Sequence, residues 1–136
     1  MNFKLEDKVY ALEIDLNKLF PNKRLRAKIG YTTKDMDKRI AGFRFSGNLR
    51  KKEHLVRKVY VSKNILAKSI ERIATEIAIV RGYERVNDKN LGLGYTEWFY
   101  CNGEQIKSCI LQAYRIVKNE NKKRGKNGKK KKPKTT

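Results

Sequence analysis

Apolar and polar positions first fall into register between residues 8 and 16, where Tyr10, Leu12, Ile14 and Leu16 alternate with Val9, Ala11, Glu13 and Asp15. A period of two predicts a β-strand. A second strand is predicted over 24–31, and the intervening 17–23 carries turn chemistry at Pro21-Asn22, so the pair reads as an antiparallel hairpin with a long connection. A helix should then start near Thr33, a candidate N-cap with Asp35 and Asp37 in the first turn and Met36, Ile40 and Phe43 on one stripe. Residues 44–53 form a basic loop around Phe45, and 54–62 return to strand character. The longest helical pattern covers 64–81, where Leu66, Ile70, Ile73, Ile77 and Val80 recur at helical spacing and Gly82 provides a stop. After an Asn- and Gly-rich loop over 87–94, the aromatic run from Tyr95 to Tyr100 predicts a short strand. A last helix follows Asn102, which can cap it together with Gln105, and buries Ile106, Ile110, Ala113 and Val117. The order β-β-α-β-α-β-α predicts an α+β domain: about three helices flanking a small, mainly antiparallel sheet of three to four strands.

Charge adds a partner to this picture. The chain has 34 Lys and Arg against 14 Asp and Glu, a formal net charge of +20 over 136 residues. Such an excess calls for a polyanion, most commonly nucleic acid. It is concentrated in 121–136, which contains Lys122, Lys123, Arg124, Lys126, Lys129, Lys130, Lys131, Lys132 and Lys134 and no acid. That segment reads as a disordered basic tail behind a single domain over 1–120. Apolar runs such as Ile77-Ala78-Ile79-Val80 fall far short of the roughly 20 residues of a membrane span, and the N-terminal residues lack a signal-peptide core. A soluble, intracellular protein is expected. Cys101 and Cys109 lack zinc-ligand spacing and read as reduced thiols.

The most specific local feature is Lys28-Ile29-Gly30-Tyr31-Thr32, a strand ending in a glycine turn, with Arg39 nine residues beyond Gly30. Together with Val9-Tyr10-Ala11 on the first strand, Ala67 and Glu71 on the long helix and Glu97-Trp98-Phe99 near the end, it resembles the GIY-YIG nuclease superfamily. The likeness is to its phage-associated branch, whose second motif reads Lys-Ile-Gly-x-Thr, and it spans residues 9–99. It departs from other members in having Lys28 where many have a second tyrosine and Thr75 where this branch often has histidine; Asn102 matches a late asparagine only by order.

The resemblance implies a metal-dependent DNA endonuclease, phage- or mobile-element-borne and acting in the cytoplasm of an infected cell. Phosphodiester hydrolysis needs an activated water, charge neutralisation at phosphorus and a stabilised leaving oxygen. Glu71 would hold one Mg²⁺ or Mn²⁺. Arg39 would grip the scissile phosphate through its planar fork. Tyr10 would orient or deprotonate the water, its pKa lowered by neighbouring cations such as Lys28. Residue by residue, simpler roles stay open: a core tyrosine for Tyr10, a solvated cation for Arg39, and a salt-bridge partner of Lys68 or Arg72 for Glu71, with Glu76 as the alternative acid. Glu97 could orient a basic residue. His54, alone in a charged stretch, reads as a surface residue.

Candidate nucleic-acid contacts are Tyr31, Arg44, Arg50, Lys51, Lys52, Lys68 and Arg72, with Lys122, Lys123, Arg124, Lys129, Lys130, Lys131 and Lys132 in the tail. The partner would be duplex or branched DNA, with RNA as a weaker alternative. A homodimer would let two single-metal sites cut both strands. The competing reading is a basic binding protein that keeps the fold and lacks turnover.

Overall fold

Two antiparallel strands, β1 (Lys8–Ile14) and β2 (Arg26–Thr32), form the centre of the sheet, paired so that Tyr10 faces Gly30, Leu12 faces Lys28 and Ile14 faces Arg26. The computed structural model describes residues 6–16, 25–91 and 97–129, with side chains as far as Asn121. The expected turn at Pro21-Asn22, the first residues of the aromatic strand and the side chains of Lys122, Lys123, Arg124 and Lys129 to Lys132 lie outside the described residues.

β3 (Val56–Lys63) pairs with β1 and β4 (Trp98–Phe99) with β2, giving an antiparallel sheet of order β3-β1-β2-β4. Three helices complete the α+β fold: α1 (Met36–Ala41), α2 (Ala67–Val80) and α3 (Gly103–Lys129). The last two pack together on one face of the sheet, against Val9, Ala11, Ala27 and Ile29. The other face carries Tyr10, Leu12, Ile14 and Trp98, closed over by Met36 of α1 and by Phe45, Leu49, Val86 and Leu91 from the connections. Strand alternation thus sends successive residues of β1 and β2 into two separate cores.

Several helix boundaries move relative to expectation. Thr33 is not the cap of α1; Asp35 is, accepting from the Asp37 amide at 3.1 Å, while Thr32 Oγ1 accepts from the Lys34 amide one turn earlier. The α2 helix starts later, because Asn64 folds into a turn whose side-chain oxygen takes the Leu66 amide at 2.8 Å. Its buried stripe is Ala67, Ile70, Ala74 and Ala78, and Val80 is 86% exposed. This corrects the expected stripe of bulky residues: close packing of α2 on the sheet and α3 selects alanine, and Ile73 and Ile77 flank the contact. Gly82 ends α2 as expected, with φ +87° and a Tyr83 amide bonded back to the Ala78 carbonyl at 3.1 Å. Asn102 and Gln105 form a reciprocal capping box, 2.8 Å in both directions. The backbone of α3 continues to Lys129, into the segment expected to be a disordered tail. Lysine is a good helix former and no proline intervenes before Pro133.

Among the described residues no helix is long and apolar enough to cross a membrane. Both cysteines are free and buried, and burial pushes the Cys101 thiol up to about 12.

Candidate functional site

The site begins with a close approach. A Cβ on Gly30 would lie 2.1 Å from Tyr10 Cζ, so glycine is what allows the tyrosine ring to lie flat across the neighbouring strand. The ring is fully buried. Arg39, projecting from the short α1, donates from Nε to the Tyr10 hydroxyl at 3.1 Å and lies 5.1 Å over the Phe43 ring. Since Arg39 is the donor, the phenol keeps its own proton for an acceptor.

Lys28 shares the Tyr10 face of β2, two residues before Gly30. It is buried, with its ammonium 5.9 Å over the same Phe43 ring, and donates to the Glu97 carboxylate just before β4. The ladder partner of Lys28 is Trp98, which brings the adjacent Glu97 within reach. Burial pushes the Lys28 ammonium down, and Glu97 opposes that shift. Lys28, Arg39, Gly42, Phe43, Arg44, Leu91, Glu97 and Trp98 line a cleft of about 340 Å³.

Glu71 comes from α2, which packs on the opposite face of the sheet, and is coupled electrostatically to Lys28, Glu97 and Tyr10. Burial and then Glu97 push the Glu71 carboxyl up, while Lys28 and Lys68 pull it down. Of the two candidate salt-bridge partners, Arg72 pairs instead with Glu76 at 3.5 Å, and Lys68 acts on Glu71 only through its charge; among the described residues the Glu71 carboxylate accepts no hydrogen bond. Glu71 also lines a shallow groove with Lys68, Arg72, Thr75 and Arg85.

Tyr10 of β1, Lys28 of β2, Arg39 of α1 and Glu71 of α2 are therefore coupled electrostatically across four elements. One electrostatic expectation needs correction. The Tyr10 phenol is pushed above its ordinary value, because burial outweighs the hydrogen bond and positive charge of Arg39. At neutral pH it is a neutral phenol.

The nucleic-acid candidates are dispersed. Arg44 lines the cleft, and Lys68 and Arg72 flank Glu71. Arg50 is exposed on the connection after α1, Lys51 lines a separate depression with Asp37, Glu53, His54 and Lys58, and Lys52 is half-buried. Tyr31 points to the helical face and donates to Asp7 at 3.0 Å, which raises its pKa and keeps it away from the cleft. His54 is exposed in a turn, as expected.

Sequence reasoning missed Phe43 as a site residue, giving it only to a buried stripe; its spacing of four from Arg39 on a helical turn was the available signal. It also missed Arg26, buried on the Lys28 face and paired with Asp88 at 2.7 Å, which ties the 86–91 connection to β2. Alternation from Lys28 marks that position.

With this geometry in place, the profile of the T5orf172 domain matches residues 8–113. The chain belongs to the T5orf172 domain family. This is a phage-associated family of nuclease-related, nucleic-acid-binding character, and the matched stretch contains the whole sheet, the cleft and Glu71. No curated protein and no solved structure matches the chain.

Proposed function

We propose that this T5orf172 domain is a GIY-YIG-type endonuclease that hydrolyses a phosphodiester bond of DNA at the cleft between Arg39 and Glu71. The observation that carries the reading is the Arg39–Tyr10 contact beside buried Lys28, with Glu71 coupled to the same group of charges. A cationic fork, a phenol and an electrostatically coupled carboxylate would supply the three needs of phosphodiester hydrolysis.

In this reading Arg39 binds a non-bridging oxygen of the scissile phosphate, its guanidinium held flat by Phe43 and its Nε fixed by Tyr10. Lys28 adds positive charge from a desolvated position, where it acts more strongly than at the surface. Tyr10, a neutral phenol, orients the attacking water through its hydroxyl; it could accept the water's proton only after losing its own, an ionisation that the added positive charge of the loaded site would favour. Glu71 fits a divalent cation: it is a hard oxygen donor with no hydrogen-bond partner among the described residues. Those residues contain no cluster of three or more metal-ligating side chains, so the remaining ligands would be waters and phosphate oxygens, as suits Mg²⁺. When bound, such a cation supplies charge stabilisation at the leaving 3′-oxygen.

One observation favours a second reading, a binding module without turnover: Tyr10 is fully buried and its hydroxyl already engaged. Incubating supercoiled plasmid with wild type and Glu71→Gln in Mg²⁺, Mn²⁺ and EDTA separates the two. The nuclease reading expects nicked and linear products from wild type in metal only, with Glu71→Gln binding DNA but leaving it intact. Binding without cutting in either metal would establish the second reading.

A further inference from the structure

The cleft wall carries three cations, Lys28, Arg39 and Arg44, and one carboxylate, Glu97, which sits on the most deeply buried of the three. The partners of that ion pair are held very differently. The Lys28 side chain is 2% exposed, that of Glu97 52%. Lys28 is fixed by its strand, by Trp98 across the ladder and by the Phe43 ring. Glu97 immediately precedes the two-residue strand β4 with half its side chain in water, and it stands in the repulsive field of Glu71. A buried ammonium left without a counter-charge is strongly unfavourable, so Lys28 keeps its charge only with an anion beside it. Glu97, already half-solvated, can leave at low cost provided another anion takes its place.

A phosphodiester is such an anion. Like a carboxylate it offers one negative charge shared between two oxygens, and on this wall it would meet Arg39 and Arg44 as well, whereas it would repel Glu97. We propose that Glu97 is a placeholder for a nucleic-acid phosphate: it neutralises Lys28 in the free protein and yields that position to a phosphate oxygen of the bound strand. The proposal rests on the nucleic-acid reading above and adds to it an exchange at Lys28 that makes Glu97 an antagonist of binding, although it stabilises the free cleft.

The test uses the full chain and a short labelled DNA duplex in EDTA, where no cutting complicates binding. Wild type, Glu97→Gln, Lys28→Gln, the double variant and Glu76→Gln are compared, each first checked by thermal melting. Glu97→Gln should bind several-fold tighter and Lys28→Gln more weakly. In the Lys28→Gln background most of the gain from Glu97→Gln should vanish, and Glu76→Gln, which removes an exposed charge from the same helix as Glu71, should give a smaller gain. A gain of equal size with or without Lys28, or an equal gain from Glu76→Gln, would reduce Glu97 to one more negative charge near DNA and overturn the exchange. Wild type that fails to bind the duplex at all would remove the nucleic-acid reading itself, a failure visible before any variant is compared. Should Lys28→Gln not fold, NMR of the wild type decides: on saturation with duplex the Lys28 Nζ and Glu97 carboxyl resonances should both move, and unchanged resonances would overturn the proposal.

Discussion

The two faces of the sheet are built from alternate residues of the same two strands and have opposite chemistry. Under α2 and α3, Val9, Ala11, Ala27 and Ile29 pack in one apolar cluster with Ile70, Ala74, Ile106 and Ile110. On the other face, Arg26, Lys28 and Thr32 are the buried polar side chains among the described residues, and Gly30 and Tyr10 lie between them. Shifting either strand by one residue would exchange the two sets, so the apolar face fixes the register that assembles the polar one. Both faces bury an apolar core, but in the proposed reading the chemistry belongs to the second face, joined by Glu71 from the helical side.

The largest expected effect breaks the helical face. Ile110→Ala removes a fully buried side chain of α3 and should cost about 2–5 kcal/mol in denaturant unfolding. If the faces are separable, DNA cleavage per folded molecule should stay near wild type in conditions where the variant remains folded.

A smaller loss of stability with a larger loss of function is expected from Gly30→Ala. The added methyl would meet the Tyr10 ring and hydroxyl at 2.1–2.5 Å, so the ring must shift and carry with it the hydroxyl that Arg39 binds. Overpacking of this kind costs about 1–3 kcal/mol. Chemical denaturation and a cleavage assay on the same preparation would show whether function falls further than stability.

The smallest effect is electrostatic and sharpens the role of Glu71. Its carboxyl is raised by burial and by Glu97, so the native state holds a proton that the unfolded chain has already lost just above the ordinary carboxylate range. Stability from this group is therefore complete at acid pH and is lost as pH rises through its raised value. Glu71→Gln should be more stable than wild type at neutral pH, with the difference closing on acidification. Melting temperatures of both proteins across pH 4–8 would check it; a gap that widens towards acid would mean that the carboxylate is favourably paired instead.

Much of this architecture was legible in local patterns. Alternation located β1 and β2, the glycine at Gly82 and the box at Asn102 located helix ends, and the resemblance carried by Gly30, Arg39 and Glu71 marked candidate site residues. What local pattern could not supply was set by packing and by long-range contacts. The α2 stripe was misread because hydrophobicity ranks isoleucine above alanine, whereas a close helix contact ranks by size. The Tyr10 shift was misread because counting nearby cations leaves out burial. Lys28 and Glu97 are 69 residues apart, and only the pairing of β4 with β2 brings them together.

The central claim, that the Tyr10 face performs chemistry on a scaffold held by the other face, is tested most directly by Arg39→Ala, followed in parallel by melting temperature, DNA affinity and cleavage rate in Mg²⁺. Arg39 is half-exposed on a short helix, so its removal should shift melting by only a few degrees. The account predicts that cleavage falls by about 10²–10³-fold, the usual cost of losing one charge-stabilising donor, while most of the DNA affinity is retained. Cleavage that persists at the wild-type rate, or that declines only in step with melting temperature, would contradict it.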